Sequence, residues 1–292
     1  MRSRIIQAAA VAALLAAASG ALAQGTLRAV RFAAPGPMLD PAAAVWKSAK
    51  ELTVPMLPQA VTTPTNPNAA VKALRVRAAH NGQWLALRIE WQDATKDDLL
   101  YPDRFGDQVA VQFPLRNRDG ALPSPMMGHK GTRVNILQWR APFQRDVDQA
   151  EAHGHGVYAH ASTQLHELYP NALVDLYPDQ VLRATDARPY MGALGMDNPV
   201  SHARLTPVLD QMAEGWGTMT AKPEQLADGR GVWQNGAWKV VITLPLASGS
   251  ASSPQLAPGA KTVVAFAVWD GANREVGSRK AWSSWMPLEL SR

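Results

Sequence analysis

The sequence predicts an all-β chain, an antiparallel β-sandwich with one long loop/helix insertion. Three features predict it. Apolar and polar residues alternate with period two in segment after segment, the segments are punctuated by Asn-Gly and Pro-rich turns, and the alternation lapses once, between Arg140 and Trp216. Many short strands with few helices can bury their apolar faces only against a second sheet or around a barrel.

Taken in order, residues 1–23 carry Arg2 and Arg4, an apolar run from Ala8 to Ala18, and Ala21-Leu22-Ala23 before Gln24. That is the pattern of a secretory signal cleaved after Ala23. Ser3 separates the two arginines, so a general secretory route is expected over the twin-arginine one. No later segment approaches the roughly 20 apolar residues of a bilayer span. The expectation is a single domain, 24–292, exported to the periplasm without a membrane span.

The first strand is read at Leu27 to Phe32. Leu74, Val76 and Ala78 then alternate with Arg75 and Arg77, Asn81-Gly82 turns the chain, and Leu85, Leu87, Ile89 and Trp91 return on one face. Strands follow at Asp107 to Phe113 and Arg133 to Arg140. The stretch 140–216 is too long for an idle connection and is read as an insertion lying over the sandwich. Its one clear helix is placed at Pro207 to Glu214, with Pro in the first turn and Gly215 just past the end. A second hairpin runs from Gly231 through Asn235-Gly236 to Leu246, and Thr262 to Trp269 and Trp282 to Leu290 complete the sheet. Two breaker-rich loops, Pro55 to Pro67 and Ser248 to Gly259, lie between strands.

Composition narrows the chemistry. With no Cys among 292 residues there is no disulfide framework, no Cys-ligated iron–sulfur cluster, no covalent CxxCH haem and no thiol nucleophile. A net charge of +5 without a Lys/Arg run is too dilute to argue for nucleic acid. Glycine patterns for a nucleophile elbow, a Walker loop or a dinucleotide fold are absent.

His153, His155, His160 and His166 have spacing that can bind zinc or copper, but two intervening Gly leave the imidazoles unoriented, and a solvated loop is the expected role. Asp93, Asp97, Asp98, Asp103 and Asp107 match no calcium-loop motif and are expected to form turns. Two segments stand apart. Pro123-Ser-Pro-Met126-Met127-Gly128-His129 places two thioethers in a Pro/Gly-stiffened loop, and the polar connection from Trp269 to Lys280 enters the last strand. Taken singly, a loop Met fills a gap and a Lys is a surface charge.

Six blocks in order, however, resemble a known family. They are Lys50 to Met56, Asp107 to Pro114, Met127-Gly128, Val134-Asn135-Ile136 with Trp139, Ala213 to Thr218, and Val268 to Asn273 with Arg279-Lys280. The chain resembles the haem b (gamma) subunit of the periplasmic molybdenum enzymes of the dimethyl-sulfoxide-reductase type II group. That group includes ethylbenzene, dimethyl-sulfide and steroid C25 dehydrogenases and the chlorate and selenate reductases. The resemblance implies a β-sandwich related to extracytoplasmic haem-binding domains, holding one non-covalent haem b between Met and Lys. Met127 takes the Met role and Lys280 the Lys role, with Met126 and His129 as the alternative iron donors beside them. Neighbouring residues of an extended loop point apart, so one of the two thioethers is expected to face the iron.

The implied partners are an iron–sulfur beta subunit and a molybdenum catalytic alpha subunit, with a periplasmic c-type cytochrome or other carrier beyond them. The implied role is electron relay, not catalysis. Two rivals stay open: a carbohydrate- or ligand-binding sandwich without haem, using some of the ten Trp as platforms, and a stand-alone periplasmic cytochrome b.

Overall fold

A computed structural model describes residues 25–99, 104–115, 120, 122–153 and 206–292. The elements in chain order are β1 (Leu27–Arg31), α1 (Val45–Ser48), β2 (Leu52–Pro55), β3 (Leu57–Pro58), β4 (Ala73–His80), β5 (Trp84–Gln92), β6 (Gln108–Pro114), β7 (Val134–Arg140) and α2 (Ala141–His153). They continue as β8 (Val208–Ala213), β9 (Thr220–Ala221), β10 (Asp228–Trp233), β11 (Ala237–Pro245), β12 (Lys261–Trp269), β13 (Ala281–Trp282) and β14 (Met286–Leu290). The expected all-β architecture is the one found.

The strands follow one another in space as β10-β11-β5-β4-β1-β14-β12-β6-β7-β8-β9. β12 is the corner of this path. Val263 and Val264 pair with β14, whereas Ala265 to Trp269 pair with β6, so one strand serves both halves of the sheet. The inner faces of the halves close on a single core. Leu74, Val76, Leu87, Ile89, Val240 and Ile242 contribute from one half, and Val109, Val111, Phe113, Leu137, Phe266 and Val268 from the other. At its centre the ring of Trp139 on β7 meets Trp238 on β11 edge to face at 4.9 Å and Trp91 on β5 at 6.4 Å. Such aromatic pairs add about 0.5–1.5 kcal/mol each beyond the area they bury.

Both predicted hairpins form, β4–β5 and β10–β11. Four details differ from the sequence reading. The sheet is mixed, because β1 runs parallel to both β4 and β14. The long connection from Phe32 to Lys72 supplies the crossover that a parallel pair needs.

The helix expected at Pro207–Glu214 is strand β8, paired residue for residue with β7 from Val134↔Ala213 to Trp139↔Val208. Pro207 and Gly215 punctuate a strand as well as a helix. The buried Asp210 on its inner face broke the apolar alternation that would have marked it. The true helix of this region, α2, begins directly at the end of β7 and packs on β7 and β10. Finally, Trp282 to Leu290 is two strands: Ser283 interrupts them, its Oγ accepting from Phe266 N at 2.9 Å. Of the 140–216 insertion, residues 154–205 lie outside the described residues, as do His155, His160 and His166.

Close approach at the corner of the core leaves no room for a side chain at Gly231 of β10, where a Cβ would overlap the Trp139 ring. Gly231 N and Trp139 Nε1 both donate to Gln144 Oε1, at 2.8 and 3.1 Å, locking α2, β7 and β10 together. Gly231→Ala is expected to lower unfolding free energy by about 1–3 kcal/mol through overpacking. Urea denaturation followed by Trp fluorescence checks it, and an unchanged midpoint would mean that Trp139 is free to move aside.

Candidate functional site

The strands β6, β7 and β12 bury both faces. On one side of them Val109, Val111, Leu137, Trp139, Phe266 and Val268 belong to the core. Period two then sends the intervening residues to the opposite face. Cross-strand register lines them up in rows: Ala265, Gln112 and Ile136; Ala267, Ala110 and Gln138; Trp269, Gln108 and Arg140. Alanine at the centre of this face gives it little relief, and over it opens a cavity of about 550 Å³. This volume falls within the range of small-molecule and cofactor sites. Four loops wall it, bringing Gln59 and Thr62, Met126 and Met127, Trp216 and Met219, and Val276, Gly277, Ser278 and Lys280 to its edge.

Met127 and Lys280 meet in this cavity although 153 residues separate them. Lys280 Nζ donates to Met127 Sδ at 3.7 Å and lies 5.3 Å from the centre of the Trp269 ring. Burial alone pushes the Lys280 ammonium down to about 8, and among the described residues no carboxylate pairs with it. The result is an amine ready to lose its proton, facing a thioether. Together they form a soft/borderline donor pair suited to a transition metal.

The loop carrying Met127 is a tight turn and not the extended segment expected from sequence, so Met126 and Met127 both border the cavity. Met127 has φ +69° and Gly128 φ +76°. Gly128 N donates to Ser124 O at 2.9 Å and Gly215 N to Met127 O at 2.8 Å, which fixes the turn from both sides. A Cβ at Gly128 would stand 2.5 Å from Thr132 O, so glycine is required there for space as well as for φ. His129 is exposed, and its Nδ1 accepts from Ser124 N at 3.3 Å; it is not among the residues lining the cavity.

The Lys280 loop is held by groups that sequence reasoning left out. Glu275, fully buried, accepts from Asn66 Nδ2 and Ala70 N at 2.9 Å, from Asn273 Nδ2 at 2.8 Å and from Asp270 N at 3.1 Å. Gln59 Nε2 donates to Ser278 O at 3.1 Å, and Trp269 Nε1 donates to Gly277 O at 3.0 Å. Neither Gln59 nor Glu275 carried a spacing signal. Arg140 could have been found as the third member of Ile136-Gln138-Arg140, a strand face opposite the core that is not apolar throughout.

Asp93 and Asp107, expected as turn formers, accept from the chain's own donors. Asp107 takes Asp97 N, Trp238 Nε1 and Gly271 N at 2.8, 2.9 and 2.9 Å, and Asp93 takes Thr95 N at 3.1 Å. Burial, then the neighbouring Asp93 charge, holds the Asp107 carboxyl above the usual carboxylate range.

Lys280 sets a pH dependence of stability. In the folded chain burial makes it give up its proton at about pH 8, while the unfolded lysine keeps its proton up to about 10.5. Between these values the unfolded state binds more protons, so stability rises with pH by up to about 3 kcal/mol. The difference in stability between wild type and Lys280→Met, measured by urea melts from pH 7 to 10.5, is expected to shrink across this window. A constant difference would show that Lys280 titrates normally.

Residues 43–281 match the family model described as ethylbenzene dehydrogenase. Among curated proteins, the chain is 23% identical over 247 residues to the "Putative respiratory nitrate reductase heme subunit ORF7" of Haloferax mediterranei, covering 84% of this chain and 66% of that one. This is just under two thirds of that relative's length. It is 26% identical over 280 residues to the chlorate reductase subunit gamma of Ideonella dechloratans, covering 94% and 89%. Among solved structures, a family 9 carbohydrate-binding module from Caldicellulosiruptor kristjanssonii in complex with glucose aligns with 8% identity and a TM-score of 0.39, over 92% of this chain and 97% of that one. With its family model spanning most of its length, the chain belongs to the ethylbenzene dehydrogenase family.

Proposed function

We propose that this chain is the electron-transfer haem b subunit of a periplasmic molybdenum oxidoreductase complex, with Met127 and Lys280 as the axial iron ligands. The carrying observation is the meeting of Met127 Sδ and Lys280 Nζ at 3.7 Å inside a cavity of about 550 Å³. Both donors face the same space, and Met127 and Lys280 are the residues that would hold the iron there. The names of the heme subunit and the gamma subunit among the relatives support the same reading.

The residues present fit this group. The alanine floor suits a flat macrocycle, and Trp216, Met219 and Ile136 offer it apolar contact. When bound, a haem supplies reversible one-electron chemistry. Lys280 binds iron only as the free amine, which its burial favours, and Met127 has no proton to gain. Were Met127 and Lys280 both to hold the group, it would supply electron relay and not substrate chemistry.

The relay runs between an iron–sulfur subunit, beside the molybdenum subunit, and a periplasmic carrier such as a c-type cytochrome. Residues 1–23, read as a secretory signal, supply the periplasmic location. Trp91, Trp139 and Trp238 are buried in the core, which counts against the sugar-platform alternative for these three rings.

The test is the absorption spectrum of protein made in a haem-sufficient periplasm. Wild type is expected to show a six-coordinate low-spin haem. Met127→Ala and Lys280→Ala should each give a high-spin or haem-free protein, while Met126→Ala and His129→Ala stay low-spin. Loss of the low-spin bands in Met126→Ala would move the ligand by one residue, and in His129→Ala would overturn the Met/Lys pair. Absence of haem from the wild type would overturn the function. Copurification with tagged molybdenum and iron–sulfur subunits separates a complex subunit from a stand-alone cytochrome.

A further inference from the structure

We infer that Arg140 is the seat for a carboxylate arm of the ligand that fills the Met127–Lys280 cavity. The inference rests on the haem reading, since a haem b carries two propionates and an otherwise apolar body.

Arg140 ends β7 on the cavity face. Register runs from Trp269, the ring under Lys280, through Gln108 to Arg140. Two strand spacings of about 4.8 Å place its backbone roughly 10 Å across the sheet from that of Trp269. The cavity is thereby divided. Ala110, Ala265, Ala267 and Ile136 make most of its floor apolar, interrupted by Gln112, and the floor turns polar where Gln108, at the start of β6, and Gln138 and Arg140, at the end of β7, come together.

The guanidinium is fixed before any ligand arrives. Its Nη2 donates to Gln138 Oε1 at 2.9 Å, and that oxygen also accepts from Gln211 Nε2 at 3.0 Å. Gln138 Nε2 in turn donates to Gln108 Oε1 at 2.7 Å. The Phe143 ring lies 5.0 Å from the guanidinium carbon. What this frame omits is an anion. Arg140 Nε is buried without a hydrogen-bond partner, and among the described residues no carboxylate pairs with Arg140.

Burial by itself, with no opposing charge, lowers its pKa to about 10. A buried cation costs free energy until a counter-charge offsets it. Arginine's planar fork matches a carboxylate through two parallel N–H donors, which a lysine cannot reproduce. Since Arg140 borders the cavity, the carboxylate that answers it belongs to the occupant.

Titration of cofactor-free protein with haemin and with haemin dimethyl ester, followed by absorbance, tests this. Wild type is expected to bind the diester about 10–100-fold more weakly than haemin, the scale of a charge-assisted hydrogen bond lost at a buried site. Arg140→Gln should weaken haemin by a similar factor and leave diester affinity unchanged, with the saturated complex still six-coordinate. Arg140→Lys should recover part of the loss.

Equal weakening of both porphyrins by Arg140→Gln, or no weakening of haemin, would overturn the assignment while leaving the haem reading intact. Competition by millimolar acetate against haemin but not against the diester would support Arg140 as the carboxylate seat. Wild type that binds neither porphyrin would overturn both. Should Arg140→Gln fail to fold, the haemin-to-diester ratio of wild type decides alone, and a ratio near one rejects the seat.

Discussion

Three adjacent strands that must be buried on both faces set the terms for the whole molecule. β6, β7 and β12 turn Val, Leu, Phe and Trp inward to the sandwich core and Ala, Gln and one Arg outward to the cavity. Neither face can change without moving the other, because a strand has no thickness in which to absorb a shift. The Trp139 ring that closes the core and the Gln138 amide that edges the cavity are consecutive residues. Core packing therefore fixes the height of the cavity floor, and α2 reinforces it by presenting Gln144 to Trp139 and Gly231 at once.

Above this floor the loops are positioned by buried polar hubs more than by apolar contact. Asp107, just before β6, gathers the loop after β5 at Asp97, the core ring of Trp238 and the Gly271 end of the Lys280 loop. Glu275 ties the same loop to the Pro-rich segment around Asn66 and Ala70. Buried carboxylates are costly to desolvate, and their common justification is that they define one geometry among several. Here that geometry is the meeting of Met127 and Lys280, two residues that no local interaction would bring together.

Much of the fold was legible because period-two alternation is a direct imprint of a half-buried strand, and Asn81-Gly82 and Asn235-Gly236 announce their hairpins. β8 was misread because its inner face carries Asp210. Asn135 Nδ2 and Lys222 Nζ satisfy this acid at 2.6 and 2.8 Å, and both partners come from elsewhere in the chain. A strand whose polar residue is paid for by distant partners cannot be recognised from its own six residues. The same holds for Gln59 and Glu275, whose roles exist only through loops that tertiary structure brings near. Met127 and Lys280 were legible as a pair through family resemblance and not through spacing. The parallel placement of β1 was not foreseen, since nothing in five residues states which neighbours they will have.

That placement has a consequence for how the protein is made. β1 lies between β4 and β14, so the first strand of the sheet is completed by the last. Lys280 stands immediately before β13, on the stretch that leads into β14. A growing chain has neither a closed sheet nor an amine in the cavity until residues 280–290 have been made. Contacts of such sequence separation close late and slowly. Closure of the sheet and delivery of the amine to the cavity thus wait on one and the same stretch of chain, and an occupant that needs Lys280 has no complete seat before that stretch is made.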